Sequence, residues 1–274
     1  VRRAGLPRPA EDEISLMEIG LLALGVVAGV LAGMFGIGGG VVIVPILTTF
    51  FGMTLQQAVG TSLTALLMPV GIFAVIAYYR AGKLRIPVAA WVAGGLLVGA
   101  FLGAQLALNL PAALLRQAYG VFLLYCAWRF IEPRKWWLEA RGKRLPAPDP
   151  IAREVFPPLP LLLIGLVAGL ASGMFGIGGG IVIVPALVGL LRFDQKLAVG
   201  TSLAALLLPV SAGAVLTYYQ AGLLDLRFAA LVAAGLVGGA FIGAKIALGL
   251  PSSTIRRLYG IFLVFVGLRF LLGG

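Results

Sequence analysis

Histidine is absent from the sequence, so the side chain that most often shuttles protons or ligates metals near neutral pH is missing. Zinc sites and His-based catalytic triads are excluded with it. Cysteine occurs once, at Cys126, within an apolar run, which leaves no partner for an intramolecular disulfide and reads as packing. Charge is scarce: 11% of residues are charged, against about a quarter in a soluble domain. No carboxylate occupies the middle of an apolar run. Glu18, near the mouth of the first, is the nearest acid, so proton coupling through an acidic side chain has no obvious carrier. No cofactor and no metal are expected.

Hydrophobic residues make up 61% of the 274. Runs at 55–79, 86–110 and 197–219 exceed the roughly 20 residues a helix needs to cross a bilayer. They lack the alternation of a membrane barrel, so helices are expected. The net charge of +11 would suggest nucleic acid in a soluble protein. Here the bases sit at the ends of apolar runs, which fits orientation in the membrane and contact with lipid headgroups, and no nucleic acid partner is expected. Residues 1–13 read as a tail or short interfacial turn, since no small-residue cleavage site closes the apolar run that follows.

The chain also repeats itself. A shift of 140 positions aligns both halves without a gap: GMFGIGGGVVIVP at 33–45 meets GMFGIGGGIVIVP at 173–185, and Gly60-Thr61-Ser62 meets Gly200-Thr201-Ser202. Pro69 meets Pro209, Tyr78-Tyr79 meets Tyr218-Tyr219, and Pro111 meets Pro251. A duplicated unit is therefore expected at 14–131 and 159–274, joined by a basic, Pro-rich linker at 132–158. Each half reads as five helices, the first set at 14–35, 40–51, 55–80, 85–109 and 112–131. The second of these is long enough for only about half of the membrane. Its successor opens on a capping-box pattern, Thr54-Leu55-Gln56-Gln57, and Asp194 takes the cap position in the other half.

Five elements that each change side would put the halves in opposite orientation. The charges agree. Arg80, Lys83 and Arg85 follow the third helix, where the second half has Gln220, Leu223 and Asp225, with Arg227 nearby. The turn after the second helix is uncharged in one half and holds Arg192, Asp194 and Lys196 in the other. Arg116 stands alone near the turn after the fourth, whereas its counterpart gathers Lys245, Arg256 and Arg257. Alternating basic turns are what the positive-inside rule produces for inverted repeats with the linker cytoplasmic and both termini outside. The expected fold is all-α: a polytopic integral membrane protein of two five-helix inverted-topology repeats, with broken or half helices at the Gly-rich motifs.

Glycines spaced by four (25, 29, 33; 95, 99, 103; 165, 169, 173; 235, 239, 243) need only close helix packing to explain them. Residues 36–40 and 176–180 differ, because consecutive glycines add no packing ridge and each lowers helix propensity by about 1 kcal/mol. They could form a tight turn. Alternatively, the half-helices that follow point unpaired N–H groups and positive dipole ends into the membrane, which suits an anion. Gly36, Gly38, Gly39 and Gly40 with Gly176, Gly178, Gly179 and Gly180 are thus candidate substrate-binding residues. A nucleotide loop is excluded, since Val41-Val42 stands where Lys-Ser/Thr would be needed.

Thr61, Ser62, Thr201 and Ser202 could add hydroxyls to the same cavity, or bond back to their own helices. Pro69 and Pro209 are expected to kink their helices. Lys245 interrupts an apolar helix; it could face an anion, or snorkel to the surface.

The doubled GMFGIGGGxVIVP, each followed by AVGTSL and later by a Leu-Pro and a Leu/Ala-Tyr-Gly segment, resembles the TauE/SafE family of sulfite and organosulfonate exporters, over nearly the whole chain apart from tail and linker. The resemblance implies a plasma-membrane secondary transporter exporting small sulfur anions such as sulfite or sulfoacetate, and no enzymatic activity. Its implied partners are that small anionic substrate and membrane lipid, with room for a homodimer. A passive anion channel, a permease for another small anion, and a scaffold subunit remain the alternatives.

Overall fold

A computed structural model describes residues 11–131, 156–249 and 253–272. The expected tail at 1–10 and most of the linker, 132–155, lie outside the described residues. All regular structure among the described residues is helical. The first half contains α1 (Glu11–Phe35), α2 (Gly40–Phe50), α3 (Leu55–Leu67), α4 (Ile72–Arg80), α5 (Ile86–Asn109) and α6 (Ala112–Ile131). The second contains α7 (Pro158–Phe175), α8 (Gly180–Leu190), α9 (Gln195–Leu207), α10 (Ala212–Gln220), α11 (Leu226–Gly249) and α12 (Ser253–Leu272). Among the described residues four helices are long and apolar enough to cross a membrane, or up to six if each bent pair, α3 with α4 and α9 with α10, is one span.

Among the described residues each half has six helices where five were expected, because the third breaks instead of kinking. Met68, held extended at φ −66° and ψ 149° as the residue before Pro69, ends α3. The chain resumes at Ile72 with a bend of 51°, and the second half repeats this at Pro209 with 49°. The capping box forms as the sequence indicates: Thr54 Oγ1 accepts from the Gln57 amide, and Gln57 Oε1 accepts from the Thr54 amide. Asp194 occupies the equivalent position but makes no side-chain cap, its carboxylate being drawn 3.2 Å from Lys83 Nζ.

The glycine stripes find their partners across the two halves. α1 packs along α11, and α5 along α7. A Cβ at Gly29 would lie 2.9 Å from Leu236 Cα, and one at Gly169 would lie 2.9 Å from Gly99 Cα. Side chains there would force the backbones apart, so glycine sets the helix separation. Along both pairs the numbering rises together: Gly25 faces Val232 and Gly33 faces Ala240, while Gly95 faces Leu162 and Gly103 faces Leu170. The paired helices are therefore parallel. Gln56 Nε2 donates to Ala107 O, bringing the end of α5 to the start of α3, and Lys196 Nζ donates to Leu248 O in the corresponding place. α6 and α12 pack chiefly on each other, at the side of this central bundle.

Candidate functional site

The two glycine strings meet at the centre of the bundle. Gly36, Gly38 and Gly39 have φ of 69°, 81° and 80°, and Gly176, Gly178 and Gly179 have 69°, 77° and 83°. In this left-handed region an L side chain costs roughly 1–2 kcal/mol, which accounts for three of the four loop glycines. Between them Ile37 and Ile177 are fully buried and anchor each loop in the core. Gly40 and Gly180 are helical and have another reason to lack a side chain. A Cβ on Gly40 would lie 2.8 Å from Ile177 Cα, and one on Gly180 would lie 2.7 Å from Ile37 Cα. Each half-helix begins against the backbone of the opposite loop.

Hydroxyl groups fasten this crossing. Ser62 Oγ donates to Gly176 O and Ser202 Oγ to Gly36 O, both at 2.8 Å. Thr61 Oγ1 accepts from the Asp225 amide at 3.0 Å, and Thr201 Oγ1 from the Arg85 amide at 3.1 Å. Tyr78 and Tyr218 hydroxyls donate to Gly33 O and Gly173 O, at 3.1 and 2.9 Å, and hold the ends of α1 and α7. Of the four hydroxyl residues expected to serve an anion, none lines the central cavity in this conformation. Instead, they bind each half to the backbone of the other.

The cavity itself, about 40 Å³, lies between the halves. It is large enough for a few waters. Gly38 and Gly178 line it, and its walls come in equivalent pairs: Leu63 with Leu203, Leu66 with Leu206, Val70 with Val210, Leu96 with Leu236, and Ala100 with Ala240. It therefore sits on the relation that exchanges the halves. Two pairs depart from equivalence in chemistry. Ser172 stands opposite Ala32, and Ser211 opposite Gly71, so the hydroxyl side chains of the lining both come from the second half. Sequence comparison of the halves missed these serines because it selects what repeats, and they do not. The remaining polarity comes from the loops. The Gly40, Val41, Gly180 and Ile181 amides head their half-helices, where a helix has no acceptor of its own for them.

The other candidate charges lie elsewhere. Lys245 is exposed on the outer face of α11, with Nζ 4.4 Å from the Phe241 ring centroid, outside the cavity lining. Glu18 pairs with Arg227, linking α1 to α11 near one end of the bundle. No group of three or more potential metal-ligating side chains forms among the described residues.

Comparison with known proteins places the chain among membrane transporters. The family described as "Sulfite exporter TauE/SafE" matches residues 21–270. A probable membrane transporter protein of Methanocaldococcus jannaschii is 30% identical, over 96% of this chain and 98% of the relative. The probable membrane transporter proteins YdhB and YunE of Bacillus subtilis are 28% and 26% identical. YdhB is matched over 83% of this chain and 89% of its own, YunE over 93% and 97%. No solved structure matches.

Proposed function

The chain belongs to the TauE/SafE family, and from that premise we propose a secondary transporter that exports small sulfur oxyanions or sulfonates by alternating access between its two halves. The observation that carries the proposal is the crossing of two half-helix starts beside a cavity that both halves line in equivalent pairs. The amides of Gly38 to Gly40 and Gly178 to Gly180, with the positive ends of α2 and α8, stabilise the anion. Gly36 and Gly176 turn the chain into each loop. Ser62, Ser202, Thr61 and Thr201 position the loops through their cross-half bonds, and Ser172 and Ser211 add hydroxyls to the cavity.

Opposite orientation of the halves is part of this reading. It is supported by the parallel pairing of α1 with α11 and of α5 with α7, together with the contact that returns the end of α5 to the start of α3. The mirrored distribution of basic turns supports it independently, with the linker cytoplasmic and the protein in the plasma membrane. The narrow cavity represents a constricted state, and the breaks at 68–71 and 208–211, which border it, are the places where bending widens it toward one side or the other.

The test is flux in proteoliposomes loaded with labelled sulfite, sulfoacetate or taurine. A carrier moves at least one of them with saturation and accelerates when the same anion is present on the far side. No movement of any of these would refute the substrate class. Movement without counterflow would replace the carrier by a channel.

A further inference from the structure

The central cavity is lined in equivalent pairs, yet its hydroxyl chemistry is one-sided. Ser172, on α7 shortly before the glycine loop, is 3% exposed and lines the cavity, and the residue at its position in α1 is Ala32. Of the eight buried serines and threonines among the described residues, Ser172 is the one whose hydroxyl makes no hydrogen bond to protein. Thr64 and Thr217 bond back to their own helices, at Gly60 O and Gly213 O, while Ser62, Ser202, Thr61 and Thr201 bridge the halves. Ser211, the counterpart of Gly71, donates to Leu63 O at a long 3.4 Å. The Ser172 hydroxyl is therefore left for whatever occupies the cavity.

This asymmetry bears on what the cavity selects. A half-helix start attracts any anion, so the loop amides and the positive ends of α2 and α8 do not by themselves distinguish one head group from another. They also come in equivalent pairs. A carboxylate matches paired donors, because its two oxygens are themselves related by a two-fold axis. A sulfonate or sulfite head carries three oxygens in a pyramid, and paired donors serve two of them. A donor for the third has to lack a twin, and Ser172 lacks one. Sites discriminate most strongly through buried groups that the wrong ligand leaves unpaired.

We propose that Ser172 is a specificity-determining residue of the cavity: its hydroxyl donates to the third oxygen of a pyramidal head and so selects sulfonate-type anions over carboxylates. The proposal rests on the reading of the cavity as the anion site. Because the walls are equivalent, a hydroxyl presented from position 32 of the other half serves the same oxygen. Ala32 already fills that place in α1, 4% exposed, so the fold accommodates Ser172→Ala.

The test is isothermal titration calorimetry on the full-length protein in detergent, with methanesulfonate and acetate, which share a methyl group and a single negative charge and differ in the head. The variants are S172A, the swap A32S/S172A and, as a control outside the cavity, K245L. Wild type and K245L are expected to bind methanesulfonate more tightly than acetate. S172A lowers that preference about tenfold, and the swap restores it. A preference equal in wild type and S172A, a swap that stays at the S172A value, or no binding of methanesulfonate by wild type overturns the proposal. Binding is read without flux, so each of these outcomes can occur while labelled anions still cross proteoliposomes. Absence of flux, by contrast, overturns the transport reading and leaves the head-group preference standing.

Discussion

Replacing Gly40 or Gly180 by alanine perturbs the crossing of the two loops with a single methyl group. Neither glycine has a left-handed φ, so the backbone conformation tolerates alanine, and helix propensity favours it by about 1 kcal/mol. The cost is entirely steric. The added Cβ would stand 2.8 Å from Ile177 Cα in one case and 2.7 Å from Ile37 Cα in the other, with Gly176 O and Gly36 O closer still. Carbon contacts are favourable at about 3.5–4.0 Å, and the carbonyl oxygens stand nearer than the carbons, so the opposing loop must retreat by roughly an ångström or more. Overpacking typically costs about 1–3 kcal/mol. Since what must move is backbone, pinned by the Ser62 and Ser202 bonds, each variant belongs near 3 kcal/mol, which lowers the thermal midpoint by roughly 6–12 °C.

The geometry also fixes the pattern. The two single variants should cost nearly the same, because each methyl meets the equivalent atoms of the other half. The double variant should cost less than their sum, because a gap opened by one methyl relieves the other. Gly238→Ala is the control: exposed, helical and with no atom within 4 Å of the added Cβ, it should leave the midpoint unchanged or slightly raised. Thermal unfolding in detergent, with flux in proteoliposomes, measures all four. A wild-type midpoint for Gly40→Ala, or an equal fall for Gly238→Ala, would refute the reasoning.

Ser62→Ala and Ser202→Ala should each destabilise by about 1–3 kcal/mol, because each strands a buried glycine carbonyl; unchanged midpoints in thermal unfolding would contradict the clasp. Ser172→Ala and Ser211→Ala should lower flux while moving the midpoint by less than about 1 kcal/mol, since they remove hydroxyls from the cavity wall without stripping a comparable carbonyl. Lys245→Leu should leave flux at the wild-type rate in the same vesicles, since the ammonium lies outside the cavity.

Features written locally or repeated within the chain were legible before the fold was known. The capping box at Thr54 is written within one helical turn of sequence, and the glycine string declares a break in the helix by its composition alone. Duplication could be read from a fixed offset, and with it the expectation that two loops share one site. What could not be read was the identity of contacts between residues far apart in sequence. A stripe such as Gly25, Gly29 and Gly33 states that something approaches closely, but α11 is selected by the exchange of halves. Thr61 and Ser62 were legible as hydroxyls near the loops, yet their partners, Asp225 and Gly176, lie in the other half. Ser172 and Ser211 escaped for the opposite reason: the feature that makes them distinctive is that their counterparts, Ala32 and Gly71, carry no hydroxyl. At Pro69 the sequence left the size of the distortion open, and the extended Met68 turns a kink into a break.

The central claim is that the anion passes between the halves through the cavity at the twin glycine loops. Cys126 is the only cysteine, so Cys126→Ala gives a thiol-free background in which Leu66→Cys places one thiol in the cavity wall. The decisive measurement is modification of that thiol by a membrane-impermeant reagent, with anion flux followed in the same vesicles. The account predicts that modification stops flux and that a transported anion slows the modification. Full modification with flux unchanged would contradict it.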